Sequence, residues 1–242
     1  MIALFNKTTV VRLLAALCFC AVSVAWADDD PFESLNRRVL EFNDAADGAI
    51  LRPVAVAYDN TVPGPIRAGL MNAYDNLSDV NGAINALIQG RPARAAKNTG
   101  RVLVNTTFGL LGVLDVATDM GIERYETGFG HTLARWGAPE GPYFMLPFLG
   151  PRTFRSGMGD LTDSFMSAND FLVDDDAITW GSRAWRALEY RADLLDAEDL
   201  ITGDRYVFIR DAYLQNREAQ VNDGVVVDNF SDFEDDVWDE DF

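Results

Sequence analysis

The segment Gly137-Ala138-Pro139-Glu140-Gly141-Pro142-Tyr143-Phe144-Met145-Leu146-Pro147-Phe148-Leu149-Gly150-Pro151 holds four prolines and three glycines, which forbid a regular helix. It also holds six large apolar side chains, Tyr143, Phe144, Met145, Leu146, Phe148 and Leu149, which demand burial. In a water-soluble protein this composition makes a buried irregular loop, whose backbone polar groups are costly to satisfy. Beside a bilayer, irregular backbone is tolerated where protein covers it or where it lines a water-filled cavity. The segment is therefore expected on a membrane-facing or channel-facing side.

On either side of it the chain reads as helices punctuated by Gly and Pro. Asp30 is placed as an N-cap, with Pro31 at the first helical position and Glu33 completing a capping box. Phe32, Leu35, Val39, Phe42 and Ala46 then form one apolar stripe that ends near Gly48. Pro63-Gly64-Pro65 breaks the next segment, and Ile66, Leu70, Ala73 and Leu77 start another. Val80, Ile84, Leu87 and Ile88 lead to Gly90 as the helix terminator, and Pro92 opens the following helix. That helix carries Arg91, Arg94, Lys97 and Arg101 at steps of three, three and four. They read either as a solvated face or as a stripe facing lipid headgroup phosphates. Residues 108–122, with Gly109, Gly112 and Gly121, are too glycine-rich for an ordinary core helix and too apolar for an exposed loop. Further helices are expected over 180–195 and from Tyr206 toward Asn222, and no strand alternation persists anywhere.

The two ends differ from this body. Lys7 and Arg12, an uncharged apolar run over 13–24 and Ala25-Trp26-Ala27 make residues 1–27 a cleavable export signal, with a mature start at Asp28. Both cysteines, Cys18 and Cys20, fall inside that signal, and neither follows the small residue that a lipidated cysteine requires. The remaining chain has no thiol for a disulfide or a metal. At the other end, residues 223–242 carry nine acidic residues and no basic one, and are expected to be disordered when free. Phe230, Phe233 and Val237 lie at helical spacing within this tail and would give it an apolar docking edge for a partner. The domain between the ends spans 28–222.

Charge and inventory exclude several functions. The 242 residues carry a formal net charge of −18, and removal of the signal makes it −20, so a phosphate backbone is repelled and nucleic acid is excluded as a partner. The longest uncharged stretches after the signal, 102–114 and 141–151, are too short for a membrane-crossing helix, which takes about 20 apolar residues. Any membrane contact is interfacial or half-inserted. The sole histidine, His131, has no cysteine partner, no Gly-x-Ser-x-Gly elbow surrounds a serine, and no calcium-loop or phosphate-loop motif occurs. No catalytic set, metal site or cofactor is implied.

The ordered series Asp30-Pro31-Phe32-Glu33-Ser34-Leu35-Asn36-Arg37, Glu41-Phe42-Asn43-Asp44, Arg52-Pro53-Val54-Ala55, Leu87-Ile88-Gln89-Gly90 and Gly128-Phe129-Gly130-His131-Thr132-Leu133 has a known counterpart. With Trp136-Gly137, Glu140-Gly141-Pro142-Tyr143, Leu146-Pro147-Phe148-Leu149-Gly150-Pro151 and Arg191-Ala192-Asp193-Leu194-Leu195, it resembles the MlaA (VacJ) family of outer-membrane phospholipid-asymmetry proteins. The resemblance implies an all-α, ring-shaped, monotopic protein with an amphipathic central channel. It would lie in the periplasmic leaflet of a Gram-negative outer membrane, beside a trimeric porin. Phospholipids misplaced in the outer leaflet would pass through it to a periplasmic lipid carrier, without chemistry on the lipid. Phe42, Asn43, Gly141, Pro142, Tyr143, Phe144, Leu146, Pro147, Leu149 and Gly150 are the expected lipid or channel positions. Many members carry a lipidated N-terminal cysteine, whereas this sequence offers none after its signal. A periplasmic lipid hydrolase and a soluble helical scaffold are the alternatives.

Overall fold

The computed structural model describes residues 30–166, 176–195, 201 and 203–223. The export signal and the docking positions Phe230, Phe233 and Val237 lie outside them. Two compact units are present, Met1–Asp199 and Leu200–Phe242. Within the second, helix Arg205–Val221 is capped by Asp204, whose carboxylate accepts the N–H groups of Tyr206 and Val207.

In the first unit α1 (Glu33–Ala46) passes through a π-helical turn (Asp47–Leu51) into α2 (Arg52–Thr61), so Gly48 continues the helix instead of ending it. The helix starts at Glu33, later than the capping box placed it, and Phe32 gives no side-chain cap. The long α3 (Gly64–Ile88) begins at the Pro-Gly-Pro break. At its end Gly90 has φ +73°, Arg91 donates to the Ala86 carbonyl and Gly90 to that of Leu87, a Schellman closure that turns the chain back. α4 (Pro92–Phe108) therefore runs antiparallel to α3, and short α5 (Val116–Asp119) and α6 (Phe129–Arg135) follow.

The all-α expectation needs one correction. Residues 143–153 form an antiparallel hairpin, β1 (Tyr143–Leu146) and β2 (Gly150–Thr153), with Leu146 opposite Gly150 and Tyr143 opposite Thr153. Pro147 followed by Phe148 at φ +62° makes the turn, in the order of a type II turn. Strands of four residues are too short for alternation to show in a sequence, and prolines mask it further; in three dimensions Tyr143 and Met145 are buried while Phe144 and Leu146 are half-exposed. α7 (Phe154–Met166) and α8 (Asp176–Asp193) complete the unit. α6 and α7 cross at two glycines, where a Cβ on Gly159 would strike the Gly130 backbone.

The packing is inverted relative to a water-soluble helical protein. The largest fully buried side chains are Asn36, Asn85, Asn98, Asn105, Thr132, Thr153 and Asp79. The apolar stripe of α1 does not turn inward: Leu35 is 57% and Phe42 49% exposed, while Asn36 and Leu40 are buried. In α3, Ile66, Leu70, Leu87 and Ile88 face out and Gly69, Asn76, Asp79, Gly82 and Asn85 face in. Among the described residues no helix is long and apolar enough to cross a membrane.

Candidate functional site

The hairpin is held by a helix acting as a third strand. An asparagine amide carries one donor and one acceptor group, like a peptide unit. Asn36 Nδ2 donates to the Tyr143 carbonyl at 3.3 Å and its Oδ1 accepts the Met145 N–H at 2.9 Å. Seven residues on, two turns along the same face of α1, Asn43 Nδ2 donates to the Leu146 carbonyl at 3.0 Å and its Oδ1 accepts the Phe148 N–H at 2.9 Å. The outer edge of β1 is thus satisfied at three points, and the turn at a fourth, without a third strand. Aromatic rings reinforce the seam: Phe32 stacks on Phe144 at 5.1 Å, and Phe42 meets Phe148 edge-on at 5.2 Å.

This seam unites Phe42, Asn43, Tyr143, Phe144, Leu146, Pro147 and Leu149 from the expected lipid or channel positions. Their roles differ. Tyr143 sits in the core, Asn43 shapes the turn, and Phe42, Phe148 and Leu149 form an exposed apolar tip, the last two 77% and 65% exposed. Gly141 (φ +73°) lies where a Cβ would meet the Phe154 Cβ at 2.9 Å, and Gly150 (φ +73°) closes the turn, so both serve backbone geometry. Pro142 accepts the Phe154 N–H and ties the base of the hairpin to α7.

The basic stripe does not survive as one face. Arg101 is buried, 3% exposed, and is a correction to the headgroup-facing set. Its Nε donates to Asp79 at 3.0 Å, and its Nη2 to both oxygens of Asp115 at 3.0 and 2.9 Å. The reason is polarity reversal: α3 turns Asp79 toward α4, and an internal carboxylate needs a paired cation. Arg124 bridges Asp79 (2.7 Å) and Asp75 (2.6 Å), and Arg186 of α8 joins Asp75 at 3.1 Å, so alternating charges run from the buried Asp79 out to the surface. Burial pushes the Asp115 carboxyl up, but hydrogen bonds from Thr118, Arg101 and Asn105 outweigh it and hold it at about 2. Arg91 and Arg94 lie against Tyr125, with Arg91 Nη1 donating to its hydroxyl at 2.7 Å, and Lys97 is exposed.

An amide and hydroxyl network continues this interior. Thr132 Oγ1 donates to Asn85 Oδ1 at 2.9 Å, Gln89 Nε2 donates to Thr127 and Thr132, and Asn98 pairs with both backbone groups of Tyr125. Reading for apolar periodicity passed over these residues. A signal exists for Asn98, which falls at helical steps with Arg101 and Asn105, a polar face on the same helix. His131 Nδ1 accepts the Gly128 N–H at 3.1 Å, which places the imidazole at the start of α6. Among the described residues no group of His, Cys, Asp or Glu forms a metal cluster.

The sequence profile of the family described as MlaA lipoprotein matches residues 28–220. The chain belongs to the MlaA lipoprotein family. The intermembrane phospholipid transport system lipoprotein MlaA of Escherichia coli (strain K12) is 37% identical over 205 residues, 81% of this chain and 79% of the relative. That of Haemophilus influenzae is 31% identical across 96% of this chain and 97% of its own length. A solved structure, from work on the structural basis for maintenance of bacterial outer membrane lipid asymmetry, matches with a TM-score of 0.73 at 35% identity, covering 81% of this chain and all of the other. Both of these relatives are named as lipoproteins of an intermembrane phospholipid transport system.

Proposed function

We propose that this chain is the outer-membrane component of a phospholipid transport system, taking misplaced phospholipids from the outer leaflet and passing them to a periplasmic carrier so that lipid asymmetry is maintained. The observation that carries the reading is the inverted packing. Exposed Leu103, Phe108, Leu110, Leu111, Phe148, Leu149 and Phe165, each at least 64% exposed, form more apolar surface than water tolerates without a partner. Hydrocarbon tails are that partner, and the polar interior then suits headgroups. The position in the periplasmic leaflet, the ring of helices with its amphipathic channel, and the trimeric porin beside it belong to the same proposal. So does the absence of lipid chemistry, which the place of His131 as a helix-start acceptor supports.

The test has two parts. Cells lacking this chain should expose more outer-leaflet phospholipid to an added phospholipase, and re-expression should restore the barrier. The protein should also stay with outer membranes after a high-salt wash. Release by salt with an unchanged barrier would leave a soluble scaffold as the better reading, and fatty acid released from vesicles by the purified protein would favour the hydrolase.

A further inference from the structure

A cavity of about 280 Å³ lies between α3, residues 127–128, α7 and α8. Its walls include Tyr74, Ser78 and Asn81 of α3, Asp160 and Asp163 of α7, and Arg183 of α8, so charges of both signs line one space. Asp163 is held by neutral donors. Its Oδ1 accepts from Asn81 and Asn85 Nδ2 at 2.9 and 3.1 Å, and its Oδ2 accepts the Phe129 N–H at 2.7 Å. Among the described residues no cation forms a salt bridge with it. Asp160 stands at the rim and pairs with Arg152 at 2.6 Å, and the Arg183 guanidinium lies 5.2 Å over the Trp180 ring.

The same helix supplies an apolar surface beside the cavity. Leu161 and Phe165 each follow a cavity residue, Asp160 and Ser164, by one position, about 100° round α7. They are 53% and 75% exposed. A molecule with its polar end in the cavity therefore finds its apolar end against Leu161 and Phe165, which is the shape of a lipid and not of a free headgroup.

We propose that this cavity is a headgroup site selective for zwitterionic, ammonium-bearing phospholipids. The ammonium sits against Asp163, whose charge no cation of the described chain offsets, and the phosphate lies toward Arg183 and the Ser78 hydroxyl. An anionic glycerol headgroup has no ammonium to set against Asp163 and would add negative charge beside it, in a chain already at −18. The proposal rests on the phospholipid-transport reading and adds the headgroup class to it.

The full-length protein in neutral detergent is titrated separately with short-chain phosphatidylethanolamine and short-chain phosphatidylglycerol. The ethanolamine lipid is expected to bind about tenfold more tightly, a difference near 1.4 kcal/mol. Ser164→Lys, at an exposed position, brings a competing ammonium into the cavity and should remove most of that advantage while the glycerol lipid binds as well or better. Asp163→Asn should do the same, with its helical content and melting checked by circular dichroism. Equal affinity of the unaltered protein for the two lipids, or an advantage unchanged in Ser164→Lys, overturns the headgroup proposal alone. Binding of neither lipid overturns it together with the transport reading.

Discussion

At the scale of single residues, polar side chains take the place that leucines hold in soluble proteins. Asn36 is 1% exposed and satisfies a carbonyl and an N–H of β1, so its loss strands two buried backbone groups. Asn36→Leu, close in size, is expected to cost about 2–3 kcal/mol through those unpaired groups. Thermal melting in detergent reads this, whereas Asn43→Leu, at the more open end of the seam, should melt nearly as the parent does. Asp115 gives a pH signature. Its carboxyl is depressed to about 2 in the folded protein against an ordinary 3.8, so its stabilisation is complete above about pH 4 and is lost as pH falls through 2. With its side chain 28% exposed, that contribution is on the order of 1–2 kcal/mol. Asp115→Asn should therefore lower the melting temperature at pH 7 and flatten the acid slope between pH 4 and 2.

At the scale of elements, the hairpin converts an unstructured-looking segment into a rigid projection. Asn36 and Asn43 fix its edge, two aromatic pairs fix its face, and the turn presents Phe148 and Leu149 to the surroundings. Both side chains are mostly exposed, so Phe148→Asp with Leu149→Asp removes the Phe42–Phe148 ring pair but no core residue, and should cost no more than about 1.5 kcal/mol of stability. The double variant is expected to accumulate normally yet fail to restore the outer-membrane barrier. Full restoration would assign the tip no part in lipid handling. α8 shows the other kind of joint. Arg67 meets Asp59, Glu189 and Asp193, and Arg191 grips Asp47 through two hydrogen bonds of 2.7 and 2.8 Å, so charged pairs fasten the helix where soluble proteins use apolar contact.

At the scale of the whole molecule, we propose that the acidic tail is a docking arm. Nine carboxylates with Phe230, Phe233 and Val237 at helical spacing suit a basic, grooved surface, and the periplasmic lipid carrier is the partner that the transport reading supplies. Truncation after Asn222 should weaken carrier binding several-fold and remove its dependence on salt, with outer-membrane association unchanged. Carrier affinity that is the same with and without the tail would leave it a solubilising extension.

The sequence by itself carried the family, through ordered motifs from Asp30 to Leu195, and most of the helices, because Gly, Pro and apolar spacing are local signals. It marked Gly90 as a terminator, and the Schellman closure is there. It also singled out the segment around Tyr143 for its composition, without its hairpin, because the partner that completes that edge is a pair of asparagines more than a hundred residues away. Apolar periodicity names a helix face but not the side on which it lies, so the outward turn of Leu35, Phe42 and Ile66 was decided only in three dimensions. The same holds for Arg101. Four cations at helical steps look alike in a sequence, and only the approach of Asp79 and Asp115 draws one of them inside, where its charge is stable because Asp79 is buried with it and the part-exposed Asp115 pairs with its other edge.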